Sequence, residues 1–311
     1  MAMIRFRVAE DSMLPSLRPG DEFVATSSRR ARIGEVVALR HPNRDDFWLV
    51  KRRVEPPQPL PDDLAWVASD NGAVSAVDSR AFGPVPVADL LPRVERLDPT
   101  VFTEAVDLLI EEDGALRGLV DEHGVPELWG RPPGFATLAL LILEQQVSLE
   151  SGAAVFRRVS ASAGGVTPEH LLDLGFEGLR QAGVTRQKST YLIGLAEQVA
   201  TGDLDLAALE HAPQHEAREI LLSCKGIGPW TADVYLLSAL RHLDVFPVGD
   251  RALQVGTAEA LGLAQIPPPD ELELLSMPWK PLRAVAARLI WHGYLARRGR
   301  AEPRHADLAP G

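Results

Sequence analysis

The chain has 311 residues, of which 46% are hydrophobic and 24% charged, and a formal charge of −11. That length predicts two domains, and the composition excludes a disordered, collagen-like or low-complexity chain. A single cysteine, Cys224, excludes an internal disulfide, a Cys-rich zinc site and an iron–sulfur cluster. Taken alone, the acidic balance argues against nucleic acid, whose binders usually carry a basic face. The charge is unevenly spread, however. Residues 1–96 hold 14 basic and 14 acidic side chains, whereas residues 97–311 hold 18 and 29. Arg5, Arg7, Glu10 and Asp11 interrupt any early apolar core of an export signal. The apolar run 135–143 is too short to span a bilayer. These features predict a soluble, cytoplasmic protein with no membrane partner.

Up to about residue 96, apolar runs are short, rich in Val and Phe, and bounded by turn residues. Segments 22–25, 35–39 and 47–54 read as strands of a small β domain. Side chains alternate across a strand, so Lys51 shares a face with Phe47 and Leu49. A lysine on an apolar face is desolvated, its pKa falls, and its neutral form can act as base to a serine. From Ser12 and Lys51 alone, a turn serine and a lysine at a strand edge are the better explanation of the pattern.

The segment Ser69-Asp-Asn-Gly-Ala-Val-Ser75-Ala-Val-Asp78-Ser-Arg80 carries more information. It closely resembles the final signature of the type I signal peptidase family. Ser12-Met-Leu-Pro resembles that family's nucleophile box, Gly34-Glu-Val-Val an intermediate box, and Val50-Lys-Arg-Arg-Val its lysine box. The resemblance implies Ser12 as nucleophile, Lys51 as base, Ser75 as the serine bonded to the lysine, and Asp78 with Arg80 as a supporting ion pair. The anchorless form looks most like the soluble maturation proteases associated with nickel superoxide dismutase. That would imply a cytoplasmic protein or peptide substrate. There are two departures: Glu10 stands near the expected oxyanion hole, and Ser69 stands where the family has glycine. With eleven residues before Ser12, self-cleavage upstream of the serine is not expected.

Beyond residue 98 the apolar period becomes helical. Segments 102–110, 135–146, 188–201, 217–223, 231–240 and 283–295 carry apolar residues three and four apart. The expected domains are 1–96 and 97–302, followed by a disordered tail at 303–311. The strongest feature is Lys225-Gly226-Ile-Gly228-Pro-Trp230-Thr231, lying between two helical segments. The glycines permit a sharp turn with positive φ, and proline suits the first position of the following helix. That helix N-terminus presents backbone N–H groups to an anion such as a DNA phosphate. Asp250 follows Gly228 by 22 residues, on a Pro/Gly loop.

This hairpin and aspartate resemble the helix–hairpin–helix DNA glycosylase superfamily, in particular its AlkA-type 3-methyladenine DNA glycosylases. Glu144-Gln145-Gln146-Val-Ser148 and Trp279-Lys-Pro-Leu-Arg283…Trp291 extend the resemblance over about 98–300. The implied architecture is multidomain: a small β-rich first domain and an all-α glycosylase domain. The implied reaction is hydrolysis of the N-glycosidic bond of alkylated purines in double-stranded DNA. Asp250 would stabilise positive charge on the sugar, and Trp230 and Trp291 would hold a flipped, cationic base. Gly226, Gly228, Thr231, Lys225, Gln145, Gln146, Ser148 and Arg251 would contact DNA, with Arg186 and Lys188 as further cations. Trp230 occupies the position where strand-cutting relatives carry a lysine, so the implied enzyme is monofunctional. No cofactor and no metal site are expected. Gln146 and Val234 replace, respectively, an apolar wedge and a pocket tyrosine of some relatives. Trp48 and Trp66 read as core, and Trp129 reads as packing, with lining of the base pocket as its alternative.

Two other functions fit the same chain. One is primarily a cytoplasmic processing serine protease of the nickel superoxide dismutase maturation type. The other is a glycosylase whose first domain is an inert interaction module. The charge excess is concentrated at 98–127, with nine acidic residues and one basic, and that segment is expected to face away from DNA.

Overall fold

The computed structural model describes residues 3–44, 46–73 and 77–300. The chain forms two compact units, Met1–Glu112 and Asp113–Gly311. The division falls one helix later than the change in periodicity near residue 96.

The first unit is β-rich, as its alternating runs predict. Strands β1 (Met3–Arg7) and β2 (Glu22–Thr26) form an antiparallel pair. The others are β3 (Val36–Arg40), β4 (Trp48–Val54), β5 (Leu64–Ala68), β6 (Val85–Pro86) and β7 (Leu91–Pro92). They form a second sheet in the order β6-β5-β4-β3-β7. An Ala25–Arg93 bridge and a bond from Val94 N–H to the Val24 carbonyl join the two sheets into one curled layer. Val36, Val37, Ala38 and Leu39 are all buried. A strand covered on both faces reads as such a continuous apolar run. Phe47 precedes β4 and is exposed, so the apolar neighbour of Lys51 on its strand is Leu49.

Two helices complete this unit. Helix α1 (Ser79–Phe82) is capped by Asp78, and α2 (Pro99–Glu112) is tied back through Glu112 to Arg5 and through Glu104 to Thr26. Several carboxylates of the acidic stretch 98–127 are therefore engaged in bonds within the protein. Asp113 accepts from the Trp279 indole, and Glu122 pairs with Arg297.

The second unit is helical. It comprises α3 (Gly114–His123), α4 (Phe135–Glu144), α5 (Leu149–Ala163), α6 (Pro168–Gln181), α7 (Arg186–Thr201) and α8 (Leu206–His211). It continues with α9 (Gln214–Ser223), α10 (Pro229–Ser238), α11 (Arg251–Leu261), α12 (Pro269–Ser276) and α13 (Arg283–Ala296). Helices α4 and α10 are buried almost along their whole length and α13 over residues 283–290, and these form the centre of the unit. Amphipathic helices, such as α5 and α6, surround them. Side chains of Asp113, Ser148, Thr167, Thr185, Asp205 and Asp250 accept N–H groups at helix starts, which explains where those helices begin. Among the described residues, no helix is long and apolar enough to cross a membrane.

Candidate active sites and nucleic-acid interface

The hairpin lies between α9 and α10, as its glycines predict. Gly226 has φ +96°, and a Cβ there would fall 2.3 Å from Tyr191 Cγ. Both the conformation and the packed tyrosine ring therefore demand glycine. Gly228 differs from the expectation of positive φ. It caps α10 at φ −92°, with open space where a side chain would be. Pro229 then occupies the first turn of α10, where its missing N–H is no loss.

Gln145 caps the C-terminus of α4 and is turned inward. Its Nε2 donates to the Gly226 carbonyl and to Thr231 Oγ1, each at 2.9 Å. Thr231 is buried. These two residues hold the hairpin from behind. Gln146, exposed and at φ +58°, follows immediately, and Ser148 caps α5 by accepting from Ser151 N–H.

Lys188 departs from the expectation of a DNA-facing cation. Its Nζ donates to the carbonyls of Leu143 and Gln145, at 2.8 and 2.7 Å, so it satisfies the C-terminus of α4. Cations suit that end of a helix dipole, and burial pulls the lysine's pKa below its ordinary value. Lys225 and Arg251 are exposed, with one Arg251 N–H on Gln254 Oε1. Arg186 is exposed too, with its guanidinium 5.8 Å from the Phe176 ring centre.

Asp250 sits at the N-cap of α11 and is buried, only 8% exposed. Its Oδ1 accepts from Leu253 N–H at 2.9 Å and from Trp291 Nε1 at 3.1 Å. Its Oδ2 accepts from Trp230 Nε1 at 2.8 Å. Trp230 comes from the first turn of α10 and Trp291 from α13, so three separate helices converge on one carboxyl group. Burial pushes its pKa up, and the two indoles and the backbone N–H groups of Leu253 and Ala252 oppose that rise. Trp129, read from sequence as packing or as pocket lining, is half-buried and packs edge-on against Trp291, with ring centres 5.0 Å apart.

The first unit assembles a second cluster. Ser12 lies in a short 3-10 turn, Asp11–Met13, before the turn-rich segment that leads into β2. Lys51 Nζ donates to Ser12 Oγ at 3.3 Å and to Ser69 Oγ at 3.0 Å. Lys51 is 3% exposed, and its burial pulls its pKa down, against the opposing pull of the carboxylates of Asp78, Glu10 and Asp70. The segment 69–71 braces the turn. Asn71 N–H donates to the Ser12 carbonyl at 3.0 Å and Asn71 Nδ2 to the Asp11 carbonyl at 2.9 Å.

Arg52 makes a two-pronged pair with Asp70, and Arg80 another with Asp78. Burial would raise the Asp78 pKa. The Arg80 side chain and the N–H groups of Arg80 and Ser69 outweigh it and hold the value at about 2. Ser75 lies outside the described residues. Ser69 bonds the lysine, a role assigned from sequence to Ser75.

Comparison with known proteins places the second unit. Residues 140–281 match the model of the HhH-GPD superfamily of base excision DNA repair proteins. The 3-methyladenine DNA glycosylase of Schizosaccharomyces pombe, solved in complex with abasic DNA, superposes with a TM-score of 0.57 at 26% identity. That similarity covers 60% of this chain and 95% of the other. The DNA-3-methyladenine glycosidase of Bacillus halodurans superposes with a TM-score of 0.55 at 31% identity, over 64% of this chain and 91% of that one. An alkylbase DNA glycosidase-like protein of S. pombe is 30% identical over 126 residues, which is 40% of this chain. This chain spans 59% of that relative's length. The helical unit, with its glycine hairpin and buried aspartate, thus shares fold and sequence with repair glycosylases, and the chain belongs to the HhH-GPD superfamily of base excision DNA repair proteins.

Proposed function

We propose that the second unit is a monofunctional DNA glycosylase that releases alkylated purines of the 3-methyladenine class from double-stranded DNA. One observation carries this reading: a buried Asp250 held between the indole N–H groups of Trp230 and Trp291. Breaking the N-glycosidic bond builds positive charge on the sugar, and a fixed carboxylate stabilises that charge. The base must leave the helical stack, and electron-rich indoles suit a cationic alkylated purine. The base departs neutral, so modest catalysis suffices. Gly226, Gly228 and the N-terminus of α10 would grip one phosphate, aided by Lys225 and Arg251, while Gln146 and Ser148 lie on the same proposed surface. DNA as substrate implies work inside the cell, and we infer the cytoplasm.

The test is release of 3-methyladenine from methylated duplex DNA by the wild type, lost in Asp250→Asn. No release by the wild type, or equal release by the variant, refutes the reading. Strand cleavage or a borohydride-trapped covalent adduct would refute the monofunctional assignment.

A second activity for the first unit rests on the Lys51–Ser12 hydrogen bond. A buried lysine whose ammonium form is disfavoured is suited to take a proton from Ser12 as the hydroxyl attacks a peptide carbonyl. We read this unit as a Ser–Lys peptidase domain acting on a protein or peptide. A serine-reactive probe should label Ser12 in the wild type but not in Ser12→Ala or Lys51→Ala. Failure to label the wild type favours the inert interaction module.

A further inference from the structure

The segment 124–134 has no regular secondary structure, yet it is fastened at several points. Arg288 Nε, on α13, donates to the Glu127 carbonyl at 2.7 Å. Arg131 makes a two-pronged ion pair with Glu144 on α4, at 3.0 and 3.3 Å, and both side chains are buried. Thr137 Oγ1 donates to the Pro132 carbonyl at 2.6 Å, and Gly134 N–H donates to the Tyr235 hydroxyl at 2.8 Å. Ordering an irregular segment opposes folding through lost backbone entropy, so bonds of this number imply that its placement matters.

The consequence of that placement is the position of Trp129. Its ring meets Trp291 at an interplanar angle of 77° and a centre distance of 5.0 Å, an edge-to-face contact. The Arg288 guanidinium lies 5.1 Å from the Trp129 ring centre. Arg288 and Trp291 lie three residues apart on α13, so one helical face holds both sides of the contact. A cation already sits over the Trp129 ring, which argues against stacking on a cationic base. What Trp129 offers the site is its contact with Trp291.

We infer that Trp129 is a positioning residue for the glycosylase site: it sets the orientation of the Trp291 ring and thereby the hydrogen bond from Trp291 Nε1 to Asp250 Oδ1. This inference rests on the glycosylase reading for its kinetic consequence, but not for its structural one. Trp291 Nε1 lies 3.1 Å from Asp250 Oδ1 and Trp230 Nε1 2.8 Å from Oδ2. Trp291 is the indole against which Trp129 packs.

The test compares Trp129→Phe, which keeps an aromatic ring, with Trp129→Leu, which fills space without one. The first readout needs no substrate: hydrogen exchange of the Trp291 indole N–H, followed by NMR on 15N-tryptophan-labelled protein and assigned with Trp291→Phe. Exchange should quicken about threefold to tenfold in Trp129→Leu, the size expected of a lost aromatic pair, and stay near wild type in Trp129→Phe. The second readout is base release from methylated DNA. Trp129→Leu should lower kcat by a similar factor with little change in KM, and Trp129→Phe should restore it. Unchanged indole exchange in a folded Trp129→Leu protein overturns the inference. So does altered exchange with wild-type kcat in an active enzyme. If the wild type releases no base, the glycosylase reading fails, while indole exchange still decides the role of Trp129.

Discussion

Trp230 and Asp250 are joined by a 2.8 Å hydrogen bond that links the first turn of α10 to the N-cap of α11. The helix that follows the hairpin and the carboxylate that would do the chemistry are thus directly bonded to each other.

Asp250→Asn should abolish base release, by at least about a hundredfold, with little net effect on stability. One effect follows from burial. A carboxyl whose folded pKa is raised is penalised when ionised. The penalty is absent below the unfolded pKa and fully present above the folded one. At neutral pH the amide removes that penalty, but its NH2 cannot accept from the N–H groups that face the carboxyl oxygens, so the two effects oppose each other and the melting temperature should change by only a few degrees. A marked fall in melting temperature would show that the lost acceptor outweighs the relief of the buried charge.

Trp230→Phe removes a donor to the carboxylate. The Asp250 pKa should rise further, and the acid limb of the pH–rate profile should move to higher pH. Activity at pH values on that limb should fall, and recover as the pH is raised. An unmoved acid limb would exclude Asp250 as the group whose ionisation controls the rate.

Lys188 and Lys225 should separate structural from DNA-binding cations. Lys225→Gln should reduce the salt slope of DNA affinity by about 0.9, the value for one phosphate contact. Lys188→Gln should leave that slope unchanged and destabilise the unit by about 1–3 kcal/mol, since the carbonyls of Leu143 and Gln145 lose their donor. A reduced salt slope in Lys188→Gln would place that residue on the DNA.

Gly226→Ala and Gly228→Ala should behave differently. At Gly226 an added Cβ meets the Tyr191 ring and adopts an unfavourable positive φ, for a loss of about 3 kcal/mol and of DNA binding. At Gly228 a Cβ meets nothing, so stability should change little, while DNA affinity falls if a phosphate approaches closely. Thermal melts and duplex binding distinguish these outcomes.

Asp78, held at about 2, should govern the acid stability of the first unit. A carboxyl with a depressed folded pKa contributes stability that is present above its unfolded value, near 4, and lost as pH falls through about 2. Asp78→Asn should therefore lose roughly 1–2 kcal/mol at neutral pH, with the difference from wild type disappearing in strong acid. A difference that is constant with pH would assign the effect to packing alone.

Much of the site was legible in the chain because it is written in local rules. Gly226, Pro229 and Asp250 each occupy a backbone position that few residues fill: a left-handed turn, a first helical turn and an N-cap. The strand alternation that put Leu49 and Lys51 on one face likewise follows from backbone geometry. From sequence Lys188 reads as a DNA-facing cation and Trp129 as packing or pocket lining without a named neighbour, because nothing local marks their partners. Lys188 lies 43 residues from the Gln145 carbonyl it satisfies, and Trp129 meets a ring on the last helix.

Gln145 shows the same limit. Its place in the Gln-Gln-Val-Ser segment is plain in the sequence, but its amide turns to Gly226 and Thr231, which only the packing of α4 against α10 brings within reach. The sequence by itself determined a β-rich segment followed by helices, the hairpin and the members of the two candidate sets, Ser12 with Lys51 and Asp250 with Trp230 and Trp291. Only the tertiary structure decided that Ser69 reaches Lys51, that two indoles share Asp250, and that a lysine thought to face DNA instead closes a helix. The physical reason is one of range. Turns, caps and periodicity act over a few residues, whereas desolvation and side-chain hydrogen bonds depend on which distant segments meet.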